Sequence, residues 1–370
     1  MNHKITTLFA GLSLLIFACS PKSTPEVETI ILDYSGKTSV YQYDRIESIG
    51  LIPLQTDNTC MIGASPTPKI VDDNLIIMHG DNYLRIDRYN THGAHLNQIG
   101  RIGRGPGEFV GLISDCFLYD HNMIGVHVYG KNSILLYDFN GDFVREVLYD
   151  PTAFLVHGQG SNFWALMPPK TDSPRLICLS ETGEEISSML LSKKTYPAPA
   201  DLWWPFHLTN GTLYIGMPYD NAIYKAEQDK ISTAFLIDAG KYRIPDEFYN
   251  DPFKVFASLN QNGYAAVYNF LESTDYYVIQ IVVRGETESL IWGIKFKQEE
   301  AWFWSKIENY ASDALEYPKA ELTDDNRLMF LIPPPELREQ LPFMKNVYNQ
   351  QVVSSLDDND NPVLVELRLK

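Results

Sequence analysis

Histidine is the side chain in this sequence best suited to proton transfer or metal binding near neutral pH. Four histidines lie near the ends of predicted strands: His79, His127, His157 and His207. They would form a site if the strands that carry them surrounded a common axis. The sequence alone leaves open whether they converge.

The other patterns that could support catalysis are incomplete. His92 and His95 are three residues apart in the stretch HGAH, but no third metal ligand accompanies them, so we expect a solvated turn. The chain has no GxSxG segment and no defensible order of serine, histidine and aspartate. We therefore expect no catalytic constellation, no metal site and no cofactor.

The stretch KKTYPAPADLWWPFH, residues 193–207, is the most suggestive candidate for a binding surface. Tyr196, Trp203 and Trp204 offer flat faces on which a sugar or another apolar ring could stack. The alternative interpretation is that the two tryptophans begin a strand and pack in the core. Both interpretations remain open at the level of sequence.

These candidates must be positioned by strands, because the chain repeats one pattern of a short apolar strand, a polar turn and a second apolar strand. The turns contain Asn74, Asn122, Asn162, Asn210 and Asn326, and the last gap leaves room for one more. Asn262 and Thr274 are the two candidates for the sixth turn. Either choice gives six repeats.

A second landmark follows each of the first three turns, where a strand runs into a glycine turn at Gly93, Gly141 or Gly183. Glycine readily adopts the positive φ that tight hairpins require. Each period thus holds about four short strands, which is typical of a propeller blade. We predict an all-β fold, a six-bladed β-propeller over residues 39–370.

The two ends of the chain provide the strands that would close such a ring. Residues 43–55 form a strand before the first full blade, and the final residues, NPVLVELRLK, form a strand with no hairpin partner. We expect both strands to share the last blade. Short helical insertions are predicted at residues 298–314 and 333–355, the second interrupted at Pro342.

The stretch between the first two repeats carries the motif G-x-G-P-G-E-F, formed by consecutive residues: Gly103, Arg104, Gly105, Pro106, Gly107, Glu108 and Phe109. Through this motif and the repeat phase, the chain resembles the six-bladed propeller lipoproteins common in Bacteroidetes, which are similar to NHL-repeat propellers. The resemblance implies an inter-blade join. The glycines permit a sharp turn, Glu108 is expected to hold turn amides or an arginine, and Phe109 to pack between blades.

Composition narrows the range of partners. The 370 residues are 45% hydrophobic and carry a net charge of −17, enough apolar sequence for a core and an acidic surface. Nucleic acid and anionic lipid both require basic surfaces, so neither is expected as a partner. Any membrane contact should come from an N-terminal lipid.

The N-terminus predicts export. Residues 1–18 read as a signal peptide, because the apolar run from Leu8 to Ala18 is too short to span a bilayer. The run ends Ile-Phe-Ala-Cys, which resembles a lipobox and predicts lipid attachment at Cys19, although Phe17 is bulkier than usual there. Residues 19–38 are predicted to be a flexible tether. The alternative is an ordinary cleaved signal with a chance cysteine.

These observations favour a binding or scaffold protein of the cell envelope, lipid-anchored to the outer membrane, whose ligand is a glycan, a peptide or an envelope protein. Whether it faces the periplasm or the exterior stays open. Related six-bladed propellers include lactonases and lyases with a metal in the central channel, so a metal-dependent enzyme is the alternative. A purely structural subunit of an envelope complex is the third hypothesis.

Overall fold

The computed structural model describes most of the chain, in the following segments: residues 27–33, 39–64, 66–71, 73–80, 85–119, 122–150, 152–168, 170–191, 206–209, 211–217, 220–227, 230–249, 259, 261–284, 289–308 and 318–370. Two N-terminal strands come first, β1 (Glu28–Ile31) and β2 (Ile46–Pro53), and they belong to sheets formed later in the chain. Apart from one two-stranded pair, the remaining strands join them in six sheets arranged as a six-bladed propeller.

The first three blades are consecutive four-stranded antiparallel sheets. Blade 1 contains β3 (Thr67–Val71), β4 (Asn74–His79), β5 (Arg85–Asn90) and β6 (His95–Gln98). A short parallel pair, β7 (Arg101–Ile102) and β8 (Glu108–Phe109), follows it. Blade 2 contains β9 (Ile113–Tyr119), β10 (Met123–Val128), β11 (Ser133–Asp138) and β12 (Phe143–Leu148). Blade 3 contains β13 (Leu155–Gln159), β14 (Asn162–Leu166), β15 (Pro174–Leu179) and β16 (Glu185–Leu191).

The last three blades follow the same plan with additions. Blade 4 contains β17 (Phe206–Thr209), β18 (Thr212–Gly216), β19 (Ala222–Glu227) and β20 (Lys230–Asp238), with β1 at its outer edge. Blade 5 contains β21 (Tyr264–Glu272), β22 (Tyr276–Arg284), β23 (Ser289–Phe296) and β24 (Phe303–Glu308). Blade 6 contains β25 (Glu321–Leu322), β26 (Arg327–Ile332), β28 (Val363–Leu369), β2 and β27 (Val347–Tyr348).

The first strand of each blade lies nearest the axis, since these strands contact one another across blade boundaries, as β9 contacts β13 and β17 contacts β21. The sequence follows this radial order. Strand β11, SILLYD, is buried along almost its whole length, whereas the outer strand β12, FVREVL, is largely exposed. Strands in the interior of a blade, such as β11, carry continuous apolar runs because both of their faces pack against neighbouring blades.

The apolar clusters lie between adjacent blades. Phe117 and Ile134 of blade 2 pack with Phe163 and Ala165 of blade 3 in one such cluster. The clusters between the other blades have the same composition, with side chains from both neighbours. A blade thus buries its two faces only by having a neighbour on each side, as a closed ring provides.

The ring is closed in blade 6, where β2 pairs antiparallel with β28 from Ile46 to Pro53. Strand β2 therefore lies beside the C-terminal strand, with Ile49 opposite Leu367 and Leu51 opposite Val365.

The predicted turns coincide with the first hairpin of their blades wherever they are described. Thr274 lies in the turn between β21 and β22, whereas Asn262 precedes β21, so Thr274 is the sixth repeat turn. Gly93, Gly141 and Gly183 lie in the third hairpin turns of blades 1 to 3, all with positive φ. Asn210 lies outside the described residues.

One helical prediction is confirmed in part and the other is wrong. In residues 333–355, helix α1 (Pro334–Gln340) gives way at Pro342 to a 3₁₀ turn (Leu341–Phe343), and another 3₁₀ segment covers Gln350–Ser355. Further 3₁₀ turns are Val40–Gln42, Gly240–Tyr242 and Asp246–Tyr249. In residues 298–314, by contrast, the described part contains β24 instead of a helix.

Cross-strand partners explain why this segment forms a strand despite its helical spacing. Trp304 lies opposite Gly293, whose missing side chain leaves room for the indole. Phe303 stacks on Tyr43 with a centroid separation of 4.0 Å. These tertiary contacts override the local period of apolar residues.

The predicted tether over residues 19–38 is also wrong in part. Glu28–Ile31 form β1, which pairs parallel with β20 at the edge of blade 4. Ile30 is completely buried there, packed with Ile237 in the cluster between blades 4 and 5. Residues 19–26 and 34–38 of the predicted tether lie outside the described residues.

Candidate functional site

A ring of polar residues surrounds the propeller axis. Besides buried hydroxyls such as Thr67, Ser114 and Thr209, each blade contributes one buried charged, imidazole or amide side chain from its first strand or, in blade 6, from just before it. We call these residues the axial cluster: Lys69, Asp115, His157, His207, Asn269 and Lys319. Each is at most 6% exposed. Buried charged side chains are rare in proteins unless they are paired or functional, so this concentration singles out the axis.

Direct contacts connect the cluster across blade boundaries. His157 Nδ1 donates to Asp115 Oδ2 at 2.7 Å, which joins blades 2 and 3. Lys69 Nζ lies 3.7 Å from Asp115 Oδ1, which joins blades 1 and 2. Asn269 Nδ2 donates to the carbonyl of Ala320 at 2.6 Å, which joins blades 5 and 6. The innermost strands are thus held together by polar as well as apolar contacts.

Gln280 fixes the backbone on both sides of Lys319. Its Nε2 donates to the carbonyl of Pro318 at 2.7 Å, and its Oε1 accepts from the amide of Ala320 at 3.0 Å. The same oxygen accepts from Asn269 Nδ2 at 2.7 Å. Because Gln280 is fully buried, this arrangement holds Lys319 in a defined position at the axis.

Three buried atoms of the axial cluster have no hydrogen-bond partner among the described residues. They are Asp115 Oδ1, Asn269 Oδ1 and Lys319 Nζ. The ammonium group of Lys319 lies 3.6 Å from Glu321 Oε1, which is too long for a good hydrogen bond. An unsatisfied buried polar atom costs about 1–3 kcal/mol. One donor and two acceptors of the cluster are therefore buried without a hydrogen bond, although Lys319 and Asp115 each keep a longer ion-pair contact.

Electrostatics makes the two lysines unequal. Burial lowers the pKa of Lys319 to about 8, and the charge of Lys69 adds to the effect. Burial also disfavours a charge on Lys69, but the carboxylates of Asp115 and Glu321 outweigh it and raise its pKa. Burial opposes ionisation of Asp115, yet the neighbouring cations keep its pKa below the usual value. Lys69 and Asp115 are therefore charged at neutral pH.

Both axial histidines are neutral at neutral pH. Burial lowers the pKa of His157, although Asp115 opposes the effect. The pKa of His207 lies well below its usual value because of burial and the charges of Lys319 and Lys69. With Asp115 ionised, the proton of His157 lies on Nδ1 and its Nε2 can accept a hydrogen bond.

The predicted convergence of four histidines is right for His157 and His207 and wrong for the other two. His79 and His127 lie on the second strands of their blades, β4 and β10. His127 accepts from Ser114 at Nδ1 and contacts the Tyr149 hydroxyl through Nε2 at 2.6 Å. Burial lowers the pKa of His127 to about 4, so it is a neutral structural residue.

His79 belongs to a second polar group, centred on the fully buried Asp87 of blade 1. His79 Nδ1 accepts from the amide of Gly63 at 2.9 Å, so its Nε2 carries the proton and donates to Asp87 at 2.6 Å. Arg85 donates at 2.5 and 3.0 Å, and His95 Nε2 lies 2.8 Å away. His95 is thus part of a structural network, unlike the solvated turn expected from the HGAH stretch.

The donor set at the axis does not fit the metal site that the enzyme alternative requires. Asp115 uses one oxygen for His157, and the side chains of Lys69 and Lys319 are both buried near this carboxylate. Lysine ammonium groups repel a divalent cation and offer it no lone pair. Among the segments described above, no group of three or more histidine, cysteine, aspartate or glutamate side chains is arranged to hold a metal ion.

A separate cavity of about 520 Å³ opens between blades 5 and 6, on the face that carries the first hairpin turns. We call it the rim pocket. Arg45, Asp275, Phe296 and Arg368 are among the residues that line it. Arg45 pairs with Glu299 and lies 5.4 Å from the centre of the Phe296 ring. The pocket thus combines both signs of charge with an aromatic face.

The glycine motif, Gly103 to Phe109, lies between the last strand of blade 1 and the first strand of blade 2. Glu108 accepts from the amide of Gly105 at 2.8 Å and from Arg101 Nε at 2.7 Å. Phe109 is completely buried in a cluster with side chains from several blades. Tyr137 OH donates to the carbonyl of Gly107 at 2.8 Å.

Four other candidate residues lie outside the described residues: Cys19, Tyr196, Trp203 and Trp204. The lipid-attachment and aromatic-surface interpretations therefore remain predictions. Cys60, Cys116 and Cys178 are buried. Within the described part of the chain, no helix is long and apolar enough to cross a membrane.

Sequence analysis missed most of the axial cluster, although a signal was present. In all six blades the cluster residue precedes the turn residue by an odd number of positions. Successive side chains of a strand alternate between its faces, so odd separations place all six on the same side of their strands. Aligning the repeats on their turns would have revealed this polar position.

The fold and its polar axis define an all-β six-bladed propeller whose blades meet around buried charged groups. The chain belongs to the family described as "Domain of unknown function (DUF4934)", which matches residues 29–368. No curated protein matches the sequence.

Two solved structures are similar over most of the chain. One is a Bacteroides fragilis NCTC 9343 protein whose name describes it as exported. It is 17% identical with a TM-score of 0.75, covering 93% of this chain and 100% of the other. The second is a member of the DUF4221 family from Bacteroides vulgatus ATCC 8482, 11% identical with a TM-score of 0.55, covering 88% and 97%. At these identities the likeness shows the fold alone.

Proposed function

We propose that the protein is an exported, lipid-anchored propeller that binds a glycan, a peptide or a partner protein at the cell envelope. The fold and the name of the Bacteroides fragilis neighbour suggest a binding or scaffold role outside the cytoplasm. The signal-like sequence of residues 1–18 and the cysteine at position 19 support lipid anchoring to the outer membrane.

The rim pocket is the observation that carries this proposal. Its volume of about 520 Å³ lies within the range of small-ligand sites. Arg45 and Asp275 are both exposed, so they are available to a ligand. Paired charges beside an aromatic face suit a glycan or a short peptide, since such ligands present polar groups around an apolar surface.

Array binding followed by calorimetry tests the ligand site. The mature chain is applied to glycan and peptide arrays, and each hit is measured by titration. Arg45→Ala and Asp275→Asn should weaken binding at least tenfold. Arg243→Ala, an exposed arginine outside the pocket, should leave affinity unchanged. An absence of array hits together with no crosslinked partner in cells would count decisively against the proposal.

Anchoring is tested separately by mass spectrometry of the protein purified from membranes. A diacyl or triacyl mass on Cys19 is the expected result, and Cys19→Ser should release the protein into the soluble fraction. A mature chain that begins elsewhere, with an unmodified cysteine, would reject the lipid anchor while leaving the ligand site untouched.

A further inference from the structure

We propose that the rim pocket binds a short peptide of two or three residues by both of its free ends, with the ammonium group held on one side and the carboxylate on the other. This inference rests on the proposed function, because it names the ligand class of the same pocket and selects a peptide over a neutral glycan. The observation that carries it is the separation of opposite charges across the pocket.

The pocket lies where two neighbouring strands of blade 6 are not joined by a turn. In blade 5 the third and fourth strands, β23 and β24, are connected by residues 297–302. The corresponding strands of blade 6 are β28 and β2, which lie far apart in the sequence. Residues at the ends of both strands line the pocket, so it occupies the place where blade 5 has a turn.

The two sides of the pocket carry opposite charges. On one side, which we call the turn side, the hairpin turns of blades 5 and 6 contribute three acidic lining side chains and no basic one: Asp275, Glu299 and Asp325. On the other, which we call the strand side, the ends of β2 and β28 contribute one acidic side chain, Glu47, and three basic ones: Arg45, Arg368 and Lys370. A ligand with a positive and a negative end matches this polarity.

The two sides are close enough for their charges to meet. Arg45 of the strand side forms an ion pair with Glu299 of the turn side. Both side chains are partly exposed, so solvent weakens this pair and a charged ligand can replace it at small cost.

One residue on each side has bonding capacity left for a ligand. The carboxylate of the exposed Asp275 forms no hydrogen bond or ion pair within the described part of the chain. Arg368 contacts Glu366 through Nε at 3.1 Å, and its two terminal NH₂ groups have no hydrogen-bond acceptor among the same residues. The ligand's ammonium group is therefore assigned to Asp275 and its carboxylate to Arg368, whose planar group suits a carboxylate.

The turn side is fixed before any ligand arrives. The Tyr276 hydroxyl donates to the carbonyl of Asn326 at 2.6 Å, which links the first turns of blades 5 and 6. The carbonyl of Asp275 accepts from the amide of Lys297 at 2.8 Å, which links the two turns of blade 5. Such preorganisation reduces the entropy lost on binding.

The size of the pocket sets the length of the peptide. A volume of about 520 Å³ corresponds to a sphere about 10 Å wide, which two or three extended residues cross at about 3.3–3.6 Å each. The charged groups of a free amino acid are too close together to reach both sides.

Net charge separates the peptide from other ligands. The protein carries −17, which disfavours a purely anionic ligand, whereas a peptide with two free ends has no net charge. A neutral glycan can form hydrogen bonds in the pocket but gains nothing from the separation of charge. The contribution of each charged end is therefore the property to measure.

Trialanine and its capped forms test the two ends separately. The other probes are N-acetyl-trialanine, trialanine amide, the doubly capped form and free alanine as a length control. Isothermal titration of the mature protein should show trialanine binding at least tenfold more tightly than each of them. Equal affinities for capped and uncapped forms, or no trialanine binding at about 50 mM, roughly the weakest affinity worth assigning to a site, would overturn the proposal.

Variants that remove one charge assign the ends. Asp275→Asn should weaken trialanine at least tenfold but leave N-acetyl-trialanine unchanged, because that probe has no ammonium group. Arg368→Gln should weaken trialanine equally but leave trialanine amide unchanged. Arg243→Gln, at an exposed arginine outside the pocket, should leave every affinity unchanged. A variant of Asp275 or Arg368 that weakens all probes by the same factor would reject the contact assigned to that residue.

Failure of this inference and failure of the rim-pocket proposal give different results. If a glycan from the array binds and Arg45→Ala weakens it, while trialanine does not bind, the pocket is a ligand site and the peptide assignment is wrong. If neither array hits nor trialanine binding is found, both proposals are rejected. Trialanine binding that responds to Asp275→Asn and Arg368→Gln as described supports both.

Discussion

Replacing Asp87 with asparagine tests the reasoning about buried polar networks. The carboxylate is fully buried and receives hydrogen bonds from His79, Arg85 and His95. Asparagine has nearly the same shape but presents an NH₂ group toward donors. Because the variant leaves buried donors uncompensated, it should lower the free energy of unfolding at pH 7 by about 3 kcal/mol.

The pH dependence of the free energy of unfolding gives a second, more specific magnitude for Asp87. Burial alone would raise the pKa of Asp87, but the bonds from His79, Arg85 and His95 lower it to about 2 from the ordinary 3.8. The unfolded chain therefore binds a proton at higher pH than the native state does. This stabilisation is complete above about pH 5 and is lost as the pH falls toward 2, which removes about 2 kcal/mol.

Urea denaturation of the wild-type protein and Asp87→Asn at several pH values between 5 and 2 measures this effect. The stability difference between them should shrink by about 2 kcal/mol over that range. Asp246→Asn, at an aspartate whose side chain is 83% exposed, serves as the control and should track the wild type. A difference between wild type and Asp87→Asn that stays constant from pH 5 to 2 would refute the assigned network.

Three further perturbations address the fold. Gly183→Ala should destabilise the protein by about 2 kcal/mol or more in urea, because φ is +88° and the new Cβ would lie 1.9 Å from the Leu148 carbonyl oxygen. Gly160→Ala, with open space around it, should cost only about 1 kcal/mol, and equal losses would contradict this reasoning. Phe109→Ala should cost about 3–5 kcal/mol through the cavity it leaves, and a loss below 1 kcal/mol would show that Phe109 does not join the blades. Since the pKa of His127 is about 4, the native state should lose about 3 kcal/mol as the pH falls from 6.5 to 4. His127→Gln should lack that slope in urea titrations, and an identical slope would exclude this origin.

The blade count could be predicted from sequence because turn chemistry recurs with the repeat. Asn74 and Gly93 mark the first and third hairpins of blade 1, and Gly183 marks the third hairpin of blade 3. These positions depend on local backbone conformation, which short stretches of sequence encode directly. Because each blade needs a neighbour on both sides to bury its two faces, six such units predict a closed ring.

Features that depend on long-range pairing could not be predicted in the same way. Strand β24 looks helical by spacing, and only the cross-strand contact of Trp304 with Gly293 accounts for its conformation. Strand β1 lies in a polar N-terminal stretch, yet Ile30 is buried against blade 4. Neither partner is near in sequence, so local patterns carry no information about these contacts.

The candidate site was predictable only in its residue types. His157 and His207 were identified as candidates, but Lys69 and Lys319 were not, because lysine in a predicted strand ordinarily faces solvent. Their burial follows from the closure of the ring, which brings first strands from distant parts of the sequence together. The chemistry of the axis is therefore a property of the assembled blades.

The addition of β1 to blade 4 has a mechanical consequence. Any tension applied from the N-terminal side reaches the β1–β20 ladder before it reaches β2 in the closing blade. The four-residue β1–β20 ladder therefore bears the pulling force first, at the outer edge of blade 4. The β2–β28 pairing that closes the ring is protected from that force while β1 stays attached. Detachment of β1 under force would lengthen the chain between the N-terminus and the ring without opening the propeller.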